Sequence, residues 1–157
     1  MKTLLPFFVL VFATTLSSCE EDVVCCPPMD NTNITLMVVD SQGQNLLDPK
    51  LPTAYRENTI KIFYEENGKL VEFYNGGMTN MRRNFRIEEP ELEFGYRMKL
   101  ILKEKTVIQW NTTDADTLEA EINDNGVFLN LLKVYHRGEL KWDATQPMTG
   151  MEFILVK

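Results

Sequence analysis

The sequence predicts an all-β fold, an antiparallel β-sandwich, on three observations. Apolar residues recur at every second position in many short runs, the period of a strand with one buried face. Turn signals, among them Asn67-Gly68 and Asn125-Gly126, separate these runs at regular spacing. No segment holds a 3.6-residue period for more than two helical turns.

The elements follow in chain order. Residues 34–39 form an apolar strand, and residues 44–47 a short one ended by Asp48-Pro49 and Pro52. Residues 58–66 place Ile60, Ile62 and Tyr64 on one face. Asn67-Gly68 then supplies two residues that tolerate positive φ, which sets Glu66 opposite Lys69, Tyr64 opposite Val71 and Ile62 opposite Phe73. Residues 85–88 are a further strand, and residues 96–103 alternate Met98, Leu100 and Leu102 with basic residues. A turn at Glu104-Lys105, without Gly or Asn, leads into a strand over 106–110.

Asn125-Gly126 marks a second hairpin, pairing Ile122 with Leu129 and Ala120 with Leu131. A third turn at Arg137-Gly138 sets Tyr135 opposite Leu140 and Lys133 opposite Trp142. Leu118, Ala120, Ile122, Leu129, Leu131, Tyr135, Leu140 and Trp142 then share one apolar face, an agreement that a one-residue slip would destroy. The apolar run 151–156 is expected inside a sheet, because an exposed edge of this kind invites aggregation. The expected architecture is an immunoglobulin-like or transthyretin-like sandwich over residues 34–157.

The first 18 residues stand apart. One positive residue, Lys2, precedes a short apolar stretch from Leu4 to Ala13, closed by Thr14, Thr15, Ser17 and Ser18. This is the layout of a secretory signal, and the run is far short of the ~20 apolar residues of a spanning helix. Leu16-Ser17-Ser18-Cys19 resembles the lipobox of bacterial lipoproteins. The resemblance implies cleavage before Cys19 and acylation of its sulfur and amine; the rival is a signal peptide without lipid. Glu20, Glu21 and Asp22 resemble the acidic signal that exports lipoproteins of the Bacteroidetes type to the outer face of the outer membrane. A solvated linker is the alternative. Residues 19–33 are expected to be a tether.

Composition narrows the partners. The chain carries a formal charge of −7, and removal of the leader leaves 15 Lys+Arg against 23 Asp+Glu, a formal −8. Arg82-Arg83 is the one basic cluster that stands out, so nucleic-acid binding and a broad contact with anionic headgroups are disfavoured. About 140 residues suffice for one packed domain. Besides Cys19 there are two cysteines, the adjacent Cys25 and Cys26 before Pro27-Pro28. They are thiols in a tether, or serve an intermolecular disulfide, a metal or a second acylation.

Groups with chemical potential are few. The lone histidine, His136, falls at a turn and is expected to be an exposed loop residue. A zinc site would need further ligands, and a serine triad would need a serine other than Ser41 in the turn 40–43. Asp114, Asp116, Asn123, Asp124 and Asn125 are oxygen donors of the kind hard cations prefer, but they sit at opposite ends of one strand. Turn chemistry explains them, and no metal site or cofactor is expected. Glu88, Glu89, Glu91 and Glu93 surround Pro90 as a solvated acidic loop. Trp110 and Tyr74 are the aromatic residues left for stacking on sugar rings. Asp116-Thr117-Leu118 resembles a motif at which Bacteroidetes bacteria O-glycosylate exported proteins, which makes Thr117 a candidate acceptor.

The stretch Asp-Ser-Gln-Gly-Gln-Asn-Leu-Leu-Asp-Pro over 40–49 and the return over 135–142 resemble small lipoproteins of the Bacteroidetes type. Those motifs carry no known chemistry. The expectation is a non-enzymatic binding module, held to the outer membrane through Cys19 on its surface or periplasmic side, that binds a protein or glycan. A structural subunit of a pilus-like surface assembly is the alternative, and a hydrolase is less favoured.

Overall fold

The computed structural model describes residues 29–90, 95–146 and 150–157. The leader, Cys19, the triplet Glu20, Glu21 and Asp22, the pair Cys25 and Cys26, and Glu91 and Glu93 lie outside the described residues. Eleven strands and no helix are present among those described: β1 (Met29–Asn31), β2 (Asn33–Val39), β3 (Lys61–Glu66), β4 (Lys69–Glu72), β5 (Phe85–Glu88), β6 (Arg97–Ile101), β7 (Lys105–Gln109), β8 (Ala115–Asp124), β9 (Phe128–His136), β10 (Glu139–Asp143) and β11 (Glu152–Val156).

They form two sheets around one core. The larger runs β1-β9-β8-β7-β3-β4, with β10 also paired to β9; the smaller runs β11-β2-β6-β5. Ile34, Leu36 and Val38 of β2, with Met98 and Leu100 of β6, pack in one buried cluster with Ile62, Tyr64, Ile108, Leu118 and Val134 of the larger sheet. Each fully buried aliphatic side chain of this kind contributes roughly 1.5–3 kcal/mol. Tyr64 also straps the sheets together: its hydroxyl donates to the Ile101 carbonyl of β6 at 2.8 Å and accepts from Asn84 Nδ2 at 2.9 Å. The fold is thus a β-sandwich, but not specifically an immunoglobulin-like one, and it is not wholly antiparallel. β1 runs parallel to β9, and β11 parallel to β2.

The first hairpin forms in the expected register, Glu66 with Lys69 and Tyr64 with Val71. Asn67 and Gly68 both take positive φ, 52° and 74°. The buried face is narrower than expected, because β4 is a sheet edge and leaves Val71 45% exposed. The turn at 104–105 joins no hairpin. β6 and β7 lie in different sheets, and the chain crosses between them at 102–104. Buried Thr106 stitches that crossing, its hydroxyl accepting from Lys103 N–H at 3.0 Å and donating to the Lys103 carbonyl at 3.1 Å.

Two bulges revise the second and third hairpins. The β8–β9 loop is longer than two residues, so Ile122 pairs with Leu131 and Asp124 with Leu129, and Leu132 is extra. Beyond it the parity changes: Glu121 faces Lys133, Ala120 faces Val134 and Leu118 faces His136. A second irregularity at Lys141 pairs Trp142 with Val134 in place of Lys133, while Leu140 stays opposite Tyr135. The core therefore takes Leu131, Val134, His136 and Trp142. Tyr135 and Leu140 leave it; the Tyr135 hydroxyl donates to Glu121 at 2.7 Å in an exposed contact, and Leu140 is 49% exposed.

The ends of the domain differ from expectation as well. β1 begins at Met29, so Met29–Asn31 pair in the larger sheet and Asn33 opens β2 in the smaller one, where a tether was expected through residue 33. β11 is not interior. It is the edge of the smaller sheet, with Leu155 buried but Ile154 and Val156 each 56% exposed.

Candidate functional site

The parity change at Leu132 brings His136 inward, where it is 5% exposed, and this overturns its reading as a loop residue. Its Nε2 lies 2.9 Å from Asp116 Oδ1. Asp116 leads β8 inward from the opposite strand, and its side chain is fully buried. Trp110, just after β7, donates its Nε1–H to Asp116 Oδ2 at 2.7 Å. Lys157 Nζ donates to Asp116 Oδ2 at 2.5 Å and Asp114 Oδ1 at 2.6 Å. Arg137 adds a longer contact to Asp116 Oδ1 at 3.3 Å. Tyr55 donates to Asp114 Oδ2 at 2.5 Å and stacks on Trp110, with ring centroids 5.0 Å apart. The Lys157 ammonium lies 5.6 Å from the Trp110 ring centroid and 5.9 Å from that of Tyr55, within cation–π range.

The electrostatics explain why a carboxylate sits here. Burial by itself would raise the Asp116 carboxyl. Hydrogen bonds from Lys157, Trp110 and His136, with the charge of Lys157, overcome that and hold it below the usual carboxylate range. Tyr55 moves the other way: burial, and then its hydrogen bond to Asp114, push its hydroxyl well above the ordinary tyrosine range. An ionised carboxylate accepts about four hydrogen bonds, and Asp116 receives contacts from four donors. The cluster is a satisfied polar plug that ties β8, β9 and the residue after β11 together. Turn chemistry does not account for the side chains of Asp114 and Asp116, which converge on the Lys157 ammonium.

Trp110 is correspondingly 0% exposed and cannot stack on a sugar, which corrects its selection as a platform residue. The turn reading of the neighbouring oxygen donors is visible in the hydrogen bonds. Asn111 Oδ1 accepts from Thr113 N–H and Asp114 N–H, and Asn125 Oδ1 from Val127 N–H and Phe128 N–H. The two groups stand at opposite ends of β8. Thr117 is half-buried on the outward face of β8, opposite Val107.

Tyr74 has the opposite fate to Trp110. It is 60% exposed and lines an open cleft of about 430 Å³ with Asn58, Thr79, Asn80, Arg82 and Arg83. Buried Phe85 lies at its base, and Glu57 is the one acidic residue on its lining. The cleft is made by the segment between β4 and β5 folding back on itself. Phe73 N–H bonds the Ile62 carbonyl at 2.8 Å, and Asn75 N–H closes the neck onto the Arg82 carbonyl at 2.7 Å. Arg82 Nε donates to the Met78 carbonyl at 2.9 Å. Arg83 Nη1 holds the facing wall, donating to the carbonyls of Asn58 at 3.1 Å and Ile60 at 2.9 Å. Sequence reading selected Tyr74 but passed over Arg82 and Arg83 as site residues, although they were its most visible basic pair.

A second hollow of about 460 Å³ opens beside the crossing between the sheets, lined by Asp30, Glu65, Lys103, Lys105 and Ile122. Both of its lysines are paired, Lys105 with Glu65 at 2.5 Å and Lys103 with Glu66, beyond the lining, at 3.1 Å. No protein-family model, curated protein or solved structure matches the chain.

Proposed function

We propose that this chain is a lipid-anchored envelope protein whose β-sandwich is a non-enzymatic binding module for a glycan or protein partner. The observation that carries the binding reading is the Tyr74 cleft, where an exposed aromatic ring stands among polar side chains on the segment that follows the edge strand β4. The membrane address rests on Leu16-Ser17-Ser18-Cys19 and the triplet Glu20-Glu21-Asp22. The absence of catalysis is supported by the way His136 and Asp116 are spent on one another and on Trp110 and Lys157.

The test uses the full chain expressed in a lipoprotein-processing cell. Intact mass is expected to show a chain starting at Cys19 and carrying acyl groups, and Cys19→Ser is expected to release it from membranes. Printed glycans and peptides are then probed with the detergent-solubilised protein. Signal that Tyr74→Ala abolishes is the expected result. A full-length soluble chain, or binding indifferent to Tyr74, would overturn the respective half of the reading. A structural role in a surface assembly is favoured by one feature, the apolar edge strand β11 with Ile154 and Val156 exposed. It predicts concentration-dependent polymers, which Ile154→Lys would abolish.

A further inference from the structure

Charge is distributed unevenly on this molecule, and the Tyr74 cleft is where the imbalance reverses. The chain as a whole is acidic, with a formal charge of −7. The cleft brings together Arg82 and Arg83 against Glu57 alone. Most lysines and arginines of the sheets are paired: Lys61 with Glu72, Arg86 with Glu88, Lys103 with Glu66, Lys105 with Glu65 and Lys133 with Glu121. Arg82 and Arg83 have no carboxylate partner among the described residues, although both are held in place. Arg82 is fixed through Nε, and Arg83 through Nη1, by backbone carbonyls. That leaves the guanidinium edge of Arg82 and the Nη2 of Arg83 unspent, on forks already oriented by the fold. A preorganised guanidinium matches a carboxylate in a two-pronged contact.

The neutral groups around them point to a hydroxyl-rich ligand. The side chains of Asn58, Thr79 and Asn80 make no hydrogen bond among the described residues, and each both donates and accepts, as sugar hydroxyls do. Tyr74 adds an exposed ring on which a pyranose face stacks. We propose that this cleft binds a carboxylate-bearing saccharide, a uronic or sialic acid unit, with Arg82 and Arg83 on the carboxylate, Tyr74 on the ring and the asparagines on its hydroxyls. The inference rests on the binding-module reading above and names its ligand class.

The experiment measures binding of the full chain in detergent by calorimetry, with four-residue oligogalacturonate, oligomannuronate and sialyllactose as probes. The neutral partners are the fully methyl-esterified uronides and lactose. At least one acidic probe is expected to bind with Kd below about 1 mM and to weaken with added salt. Its neutral partner, Arg82→Gln and Tyr74→Ala are each expected to weaken it about tenfold or more. Arg82 is exposed and outside the core, and thermal unfolding matching the parent shows that the variant is folded. No acidic probe binding at about 10 mM overturns the proposal. So does equal affinity for acid and ester; if Tyr74→Ala still weakens both, the binding-module reading stands and only the charge assignment falls. If no probe, acidic or neutral, responds to Tyr74→Ala, both fall. A polyglutamate peptide that binds tenfold tighter than every saccharide overturns the saccharide class.

Discussion

Replacing Asp116 with asparagine exchanges one carboxylate oxygen for an NH2 group and removes the charge at the centre of the polar plug. Trp110 Nε1–H and Lys157 Nζ both donate to Oδ2, and the His136 ring and Arg137 meet Oδ1. An amide cannot reproduce both sides: with its nitrogen towards Trp110 and Lys157 it meets only donors, and with its nitrogen towards the His136 ring it needs the tautomer with a bare Nε2 and still meets the Arg137 guanidinium. The Lys157 ammonium, 11% exposed, then has only Asp114 as its counter-ion. Breaking a buried pair by removing one partner costs about 3–5 kcal/mol. Asp114 still accepts from Lys157 at 2.6 Å and is itself 32% exposed, so the low end applies, about 3 kcal/mol. For a domain of this size that lowers Tm by roughly 10–15 °C.

The assay is urea unfolding followed by tryptophan emission, since Trp110 and Trp142 are both buried and redden together on exposure. A loss under about 1 kcal/mol, the size of an exposed ion pair, would refute the claim that the plug is sealed from water. The pH dependence gives an independent check. Asp116 titrates below its unfolded value in the fold, so its contribution is fully present above about pH 4 and is lost as pH falls through the depressed folded value. The gap between the parent and Asp116→Asn is therefore expected to be constant near neutrality and to close at acid pH. Lys157→Met combined with Asp116→Asn should cost less than the two single losses added together, with a coupling of about 1–2 kcal/mol.

Four other expectations rest on single geometries. Tyr64→Phe removes the strap to the Ile101 carbonyl and strands the buried Asn84 amide, for a loss of about 1–3 kcal/mol in urea unfolding. Tyr64 itself, its hydroxyl pushed up to about 12 by burial, should resist ionisation in an alkaline absorbance titration until the protein unfolds. Gly68→Ala adds a Cβ into open space at φ +74°, so the whole cost is backbone strain, about 1 kcal/mol, with the hairpin register unchanged by NMR. Deleting Leu132 leaves Leu131 opposite Ile122 and Lys133 opposite Glu121 in unbroken alternation, so His136 stays inward beside Asp116; cooperative unfolding by circular dichroism is expected to be retained, and its loss would refute the reading of Leu132 as the extra residue.

The sequence by itself determined the class of the fold, most of its strand segments and the first hairpin. Those features are local: a period of two, and an Asn-Gly pair that accepts positive φ at both positions. It also exposed Tyr74 as an aromatic residue with no place in an apolar face. The tertiary structure decided what the period could not. Leu131-Leu132 is an apolar pair, so the face can continue through Leu129 and Leu131 or resume through Val134 and His136; the break in alternation was legible, but not which branch the chain takes. The bulge takes the second after Leu131, and that one extra residue turns His136 from a loop residue into a buried partner of Asp116.

Sheet membership was equally hidden. β6 and β7 are close in sequence and alternate alike, yet they belong to opposite layers, because buried Thr106 satisfies the backbone of a crossing where a hairpin was expected. Trp110 and Tyr74 looked interchangeable as strand-end aromatics. Only the convergence of Asp114, Asp116 and Lys157, distant in sequence, buries one, and only the folded-back segment between β4 and β5 presents the other beside two arginines. Alternation reports which face a side chain takes within its own strand; which charges meet across the core depends on contacts that no local period encodes.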